Sequence, residues 1–193
     1  MSADTAVLVP DQEPAVIWLT GVSGAGKSTI AHELEARLRG LGRAVGMVDG
    51  DELRSGLCSD LGFSLEDREE NVRRAGEVAR LMFQSGMIVI VSLISPCRSS
   101  RDEVRALFKP GEFFEAYVDT PLEVAELRDP KGLYRRARDG RIGQFTGIDS
   151  PYEAPEDPEL RIDTSADDPQ QSALAILELL EKSGRLSAPP PAG

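Results

Sequence analysis

Residues 21–29 read GVSGAGKST and directly follow the apolar run AVIWLT at residues 15–20. The segment matches the pattern G-x-x-x-x-G-K-[ST], in which glycines allow backbone N–H groups to converge on a phosphate without Cβ clashes. The apolar run predicts a buried strand, and the apolar spacing over residues 27–39 predicts a helix whose N-terminus favours anions. An ordinary glycine-rich turn is the alternative, but the order strand, loop, helix favours a nucleoside triphosphate site.

The rest of the chain alternates between strand-like and helical patterns. This alternation predicts an α/β domain with a mainly parallel five-stranded sheet, whose ligands bind beyond the carboxyl ends of the strands. Residues 1–14 are expected to be a flexible lead-in, 15–185 the domain, and 186–193 an unfolded Pro-rich tail. The predicted strands are 15–20, 44–48, 87–94, 113–118 and 160–164, and the predicted helices are 27–39, 64–86, 101–108, 122–128 and 169–182.

Composition excludes some classes of partner. The 193 residues suit one domain, and a net charge of −11 argues against DNA or RNA, although it permits a small anionic substrate. No apolar run is long enough for a membrane span, and the acidic start lacks the features of a signal peptide, so we expect a cytoplasmic protein. Cys58 and Cys97 have neither metal-ligand nor disulfide spacing and are expected to be packing residues.

Two carboxylates lie where the second predicted strand ends. Asp49 and Asp51 can orient Mg²⁺ or accept a proton from an attacking hydroxyl. The equally weighted alternative is that this segment makes a turn and caps a helix. Arg54 and Arg68 suit phosphate or sulfate oxygens, although a lone arginine such as Arg68 more often pairs with neighbouring glutamates on a solvated helix face.

Two further features suit a nucleotide acceptor. Phe63 lies in a polar loop, where it can stack on a base or simply cover the core. Residues 129–158 have weak periodicity, as in functional lids or disordered segments. Basic side chains are concentrated over residues 128–141, which predicts either a lid that closes over phosphates or a solvated basic loop.

The chain resembles the adenylylsulfate kinase family over residues 14–165. The resemblance implies a three-layer P-loop kinase fold with a mobile lid at about residues 129–150. The segments that carry it are GVSGAGKST at 21–29, DGD at 49–51 with Arg54, DLGF at 60–63, EDREENVRR at 66–74, ISP at 94–96, VDTPLEV at 118–124, RDPKGLY at 128–134 and FTGIDSPYEAP at 145–155.

This resemblance implies an enzyme that transfers the γ-phosphate of ATP, with Mg²⁺, to the 3′-hydroxyl of adenosine 5′-phosphosulfate. The ATP-binding residues would be Gly21, Ser23, Gly24, Ala25, Gly26, Lys27, Ser28, Thr29 and Arg128, with Ser28 and Asp49 as metal ligands. The acceptor would contact Asp51, Arg54, Phe63, Arg68, Asn71, Ile94, Ser95, Lys131 and Phe145, with its adenine between the two phenylalanines. Catalysis is expected from Lys27, Asp51, Ser95 and Lys131.

Ser95 matches a serine described in some family members as a phosphoserine intermediate, but direct in-line transfer needs only positioning and electrostatics. The family also implies a homodimer and a functional association with a sulfate adenylyltransferase. Two alternatives stay open: a P-loop kinase for gluconate, shikimate or a nucleoside monophosphate, and a non-catalytic nucleotide-binding subunit. The chain departs from the usual family pattern at Glu52, Cys58, Cys97 and Arg141.

Overall fold

The computed structural model describes residues 12–186, in which five parallel strands form one sheet. The order β2-β3-β1-β4-β5 places β1 in the centre, with Ile17 opposite Ile90 of β3 and Phe114 of β4. The predicted α/β fold with a five-stranded parallel sheet is therefore confirmed. The strands are β1 Ala15–Thr20, β2 Val45–Asp49, β3 Ile88–Ser92, β4 Phe113–Asp119 and β5 Leu160–Asp163.

Helices cover both faces of the sheet and make three layers. Side chains of a strand alternate between faces, so Ile17 packs with α1 and α7, whereas Trp18 packs with α3 and α4. Burial on both faces explains why β1 is a continuous apolar run. The helices are α1 Lys27–Gly40, α2 Gly50–Ser55, α3 Leu65–Gln84, α4 Arg98–Arg105, α5 Leu122–Arg128, α6 Leu133–Arg138 and α7 Pro169–Lys182.

Three helices differ from the prediction. Helix α4 begins at Arg98 rather than at residue 101, because Cys97 is its N-cap without a side-chain hydrogen bond to signal the start. Helix α2 has no predicted bounds, but the alternative in which residues 49–51 make a turn and cap a helix is borne out, since Asp49 caps it. Helix α6 lies within the segment expected to be irregular, where the Asp129 carboxylate accepts hydrogen bonds from two backbone N–H groups at its start.

The ends of the described chain are bound to the domain. Gln12, within the expected lead-in, donates to the carbonyl oxygens of Ala44 and Gly86 at 2.9 and 2.8 Å. Leu186, placed in the tail by the sequence, is buried in the core beside α7, so the domain extends at least that far. The expected flexibility of residues 1–11 and disorder of residues 187–193 lie outside the described residues. No helix among residues 12–186 is long and apolar enough to cross a membrane.

Candidate active site

The segment at residues 21–28, here called the phosphate loop, runs from the end of β1 into the first turn of α1 at the carboxyl edge of the sheet. Two of its glycines have no room for a side chain. A Cβ on Gly21 would lie 2.5 Å from the carbonyl oxygen of Val118, and one on Gly24 would lie 2.9 Å from that of Ala125. The loop therefore depends on glycine for its close approach to β4 and α5.

Lys27 is buried beneath this loop. Its Nζ donates to the carbonyl oxygens of Gly21 and Val22 at 2.8 and 2.7 Å. Burial, partly offset by the nearby Asp49 carboxylate, lowers the pKa of Lys27 from 10.5 to about 7. An anion bound next to the amine would favour its charged form and raise its pKa again.

Oxygen atoms suited to a magnesium ion lie beside the loop. Ser28 Oγ donates to Asp49 Oδ2 at 2.8 Å and lies 3.2 Å from Ser92 Oγ. Asp49 Oδ1 meanwhile accepts the backbone N–H of Asp51 at 2.9 Å, so one carboxylate both caps α2 and faces Ser28. No cluster of three or more His, Cys, Asp or Glu side chains suits a metal within residues 12–186. The Ser28 and Asp49 oxygens nevertheless fit Mg²⁺, which usually combines one or two carboxylates with substrate phosphates.

The predicted acceptor side is built around Phe63. Its ring is 54% exposed, and the Arg54 guanidinium lies 4.4 Å from the ring centroid. Arg68 is buried and donates to the carbonyl oxygens of Phe63 at 3.0 Å and Gln144 at 2.6 Å. Arg68 thus joins the Phe63 loop to the Phe145 loop and does not pair with its helix neighbours.

Phe145 completes the other wall of this region. It is buried, with its ring edge-on to Tyr134 at a centroid distance of 5.0 Å. Asn71 Nδ2 is also buried and has no hydrogen-bond partner among the described residues. A buried amide without a partner is costly, so this atom is suited to a ligand. Across the opening, Lys131 Nζ forms an ion pair with Asp51.

Ser95 lies behind the acceptor region with a strained backbone. Its φ is +40°, which is unfavourable for a residue with a Cβ. Its Oγ accepts from Trp18 Nε1 at 3.1 Å and donates to Thr20 Oγ1 at 2.9 Å. Only 2% of Ser95 is exposed. Its hydroxyl is therefore part of the buried framework.

One cavity of about 780 Å³ brings the two sides together. Arg128 lines it while donating to Thr164 Oγ1 and to the Thr164 carbonyl oxygen at 3.0 and 2.6 Å. Of the predicted site residues, Gly21 alone is not part of the lining, and its carbonyl oxygen holds Lys27 instead. The predicted residues that line the cavity are Ser23, Gly24, Ala25, Gly26, Lys27, Ser28, Thr29, Asp49, Asp51, Arg54, Phe63, Arg68, Asn71, Ile94, Ser95, Arg128, Lys131 and Phe145.

Comparison with known proteins assigns the family. A family model described as adenylylsulphate kinase matches residues 13–163. The chain belongs to this family. The adenylyl-sulfate kinase of Shewanella denitrificans is 55% identical over 182 residues, which cover 92% of this chain and 89% of that protein. A solved structure, that of the Mycobacterium tuberculosis APS kinase CysC in complex with AMPPNP and APS, superposes with a TM-score of 0.85. The two sequences are 44% identical, and the match covers 88% of this chain and 99% of that chain.

A longer relative carries a similar region. The bifunctional enzyme NodQ of Azospirillum brasilense is 55% identical over 173 residues, which cover 90% of this chain and only 28% of NodQ. Together these comparisons confirm the resemblance to adenylylsulfate kinases and the expected kinase activity.

Some residues of the kinase site were not predicted from the sequence. Ser92, Thr146 and Thr164 line the cavity, and Thr146 Oγ1 is buried without a partner among residues 12–186. Ser92 had a signal, because it is the polar residue at the end of the apolar run of β3. Thr164 similarly follows β5, at the same edge of the sheet.

Proposed function

We propose that this kinase transfers the γ-phosphate of ATP to the 3′-hydroxyl of adenosine 5′-phosphosulfate, giving 3′-phosphoadenylylsulfate and ADP in sulfate activation. The observation that carries the proposal is the single cavity that joins the phosphate loop to a region rich in arginine and aromatic side chains. Its volume lies in the upper part of the range of about 300–1,000 Å³ for ligand pockets.

The donor would bind at the phosphate loop. Backbone N–H groups at the start of α1 would hold the phosphates, and Lys27 would contact the β- and γ-phosphates. Ser28 and Asp49 would hold Mg²⁺, which when bound neutralises charge on the phosphates. Arg128, held by Thr164, would border the nucleotide at the far side of the loop.

The acceptor would bind between the two aromatic walls. Its adenine would lie between Phe63 and Phe145, since bases stack on aromatic rings. The guanidinium groups of Arg54 and Arg68 suit phosphate and sulfate oxygens. The Asn71 Nδ2 atom, which has no hydrogen-bond partner within residues 12–186, adds a neutral donor.

Asp51 would orient or deprotonate the 3′-hydroxyl. Its ion pair with Lys131 places a cation next to the attacking group, where Lys131 would stabilise negative charge on the transferring phosphoryl group. We propose direct transfer, with Ser95 as a positioning group, since its hydroxyl already has both a donor and an acceptor within the fold.

We further propose that residues 129–150 form a mobile lid, which is supported by the Lys131–Asp51 and Arg68–Gln144 contacts at its two ends. Cytoplasmic location and a homodimer remain predictions.

The match to part of a protein named a bifunctional enzyme supports an association with a second activity. We predict that this second activity is that of a sulfate adenylyltransferase.

An acceptor panel tests this function. ADP release by purified protein would be measured with Mg-ATP and adenosine 5′-phosphosulfate, gluconate, shikimate or a nucleoside monophosphate. We expect turnover with adenosine 5′-phosphosulfate at a kcat/KM far above that with every other acceptor. A preference for another acceptor would contradict the proposal, and nucleotide binding without ADP release from any acceptor would instead support a non-catalytic subunit.

A further inference from the structure

A buried charge network lies directly behind the acceptor region, outside the cavity lining. Arg101 of α4 is 1% exposed, and its Nε donates to Glu115 Oε1 of β4 at 2.6 Å. Glu115 Oε2 accepts from Arg105 Nη2 at 3.1 Å. A buried guanidinium is stable only when its charge is balanced and its N–H groups have acceptors. The carboxylate of Glu115 balances the charge of Arg101 and so compensates for its burial.

The other two nitrogens of Arg101 bind the main chain of the site. Nη1 donates to the carbonyl oxygen of Ser95 at 2.7 Å, and Nη2 donates to that of Glu153 at 2.8 Å. The backbone N–H of Glu153 donates in turn to the Pro96 carbonyl oxygen at 2.9 Å. Arg101 thus ties the segment after β3 to the segment that follows the proposed lid.

We propose that Arg101 is a positioning residue for the acceptor, a role that rests on the proposed function. It holds residues 93–97, here called the acceptor loop, in the conformation in which Ile94 and Ser95 form part of the cavity wall. The φ of +40° at Ser95 persists only where its surroundings determine it. The hydrogen bond from Arg101 to the Ser95 carbonyl oxygen restrains the backbone of Ser95, while Trp18 and Thr20 hold its hydroxyl.

Only arginine suits this position. Its three nitrogens donate in three directions, to a carboxylate and to two carbonyl oxygens from separate segments. A lysine ammonium retains the charge that Glu115 needs, but it lacks the planar fork. Arg101→Lys therefore removes the backbone restraint that Arg101 places on the acceptor loop, while preserving the buried ion pair.

Arg105 provides the matched control. It lies on the same helix and contacts the same carboxylate, but its other hydrogen bonds go to Glu159 and it has none to the acceptor loop. We expect Arg101→Lys to raise the KM for adenosine 5′-phosphosulfate about tenfold, as misplacement of a binding group does, with the KM for ATP within about twofold of wild type. Arg105→Lys should leave both KM values within about twofold.

Other outcomes would overturn the proposal. An unchanged acceptor KM in Arg101→Lys, equal rises in both KM values, or the same acceptor effect in Arg105→Lys would each show that the network serves stability alone. If Arg101→Lys fails to fold, the double variant Arg101→Met/Glu115→Gln decides the question, because it removes the hydrogen bond to the Ser95 carbonyl oxygen without leaving an unpaired buried charge. It should shift the acceptor KM in the same direction and leave that of ATP unchanged, and an unchanged acceptor KM would contradict the role.

The experiment also separates this inference from the proposed function. Wild-type protein that turned over a different acceptor would contradict the function, while the split between the two KM values, measured with that acceptor, would still decide the role of Arg101.

Discussion

The donor and acceptor sides of the cavity are built differently. The phosphate-binding part of the donor side comes from one continuous segment, and its Lys27 is only 8% exposed and bonded to its own loop. The acceptor side comes from separate segments, with Phe63 54% exposed and the Asp51 side chain 71% exposed. The donor site is therefore formed by the fold itself, whereas the acceptor site depends on residues that a bound acceptor would cover.

The largest expected effect is on the donor side. Lys27→Met should lower kcat/KM by about 10³-fold or more, because one side chain both binds the phosphates and stabilises the transferring group. The fold should survive, since burial already disfavours the charged form of Lys27. Steady-state kinetics and thermal unfolding would measure the two effects.

Lys182→Met is the control for that variant, because Lys182 is an exposed lysine at the end of α7. It should have wild-type kinetics. Near-normal turnover by Lys27→Met would mean that the phosphate loop is not the donor site.

The next effect separates chemistry from binding on the acceptor side. Asp51→Asn should lower kcat by about 10²-fold or more, the lower end of what a general base contributes, with little change in the KM for ATP. Glu52→Gln is the neighbouring control, since Glu52 is an exposed carboxylate on the same helix. Equal kinetics for the two variants would remove Asp51 from the mechanism.

A smaller effect is expected from the exposed ring. Phe63→Ala should raise the KM for adenosine 5′-phosphosulfate by about 5- to 150-fold, since stacking on a base contributes about 1–3 kcal/mol, and should not alter the KM for ATP. The melting temperature should hardly change, because the ring is more than half exposed. Leu65→Ala, which truncates another exposed side chain just after this loop, should leave both KM values unchanged.

The smallest expected effect is the uptake of a proton by Lys27 when ATP binds on the donor side. Lys27 has a pKa of about 7 in the free protein, so it is mostly neutral about one pH unit higher. Bound phosphates favour the charged form, so ATP binding at that pH should take up close to one proton, and affinity should fall as the pH rises above 7. Calorimetry in buffers of different ionisation enthalpy measures the uptake. Uptake that persists in Lys27→Met would assign the proton to another group.

Local patterns predict most of the fold and the donor side. Some features are each encoded within a few neighbouring residues, and the structure contains all of them: the apolar run of β1, the phosphate loop and the Ser64–Asp67 capping box of α3. The role of Arg101 had no such signal. From the sequence alone, Arg101 would be expected on the solvated face of a helix. Its burial depends on Glu115, a residue of β4 that only the folded chain brings next to it.

The stereochemistry of transfer tests the central claim most directly. ATP made chiral at its γ-phosphorus with oxygen isotopes would be turned over with adenosine 5′-phosphosulfate, and the product would be analysed by phosphorus NMR. Direct in-line transfer within one cavity predicts inversion at phosphorus, with the labelled phosphoryl group attached to the 3′-oxygen of the acceptor. Retention of configuration, as a phosphoserine intermediate requires, or label at another position would contradict the account.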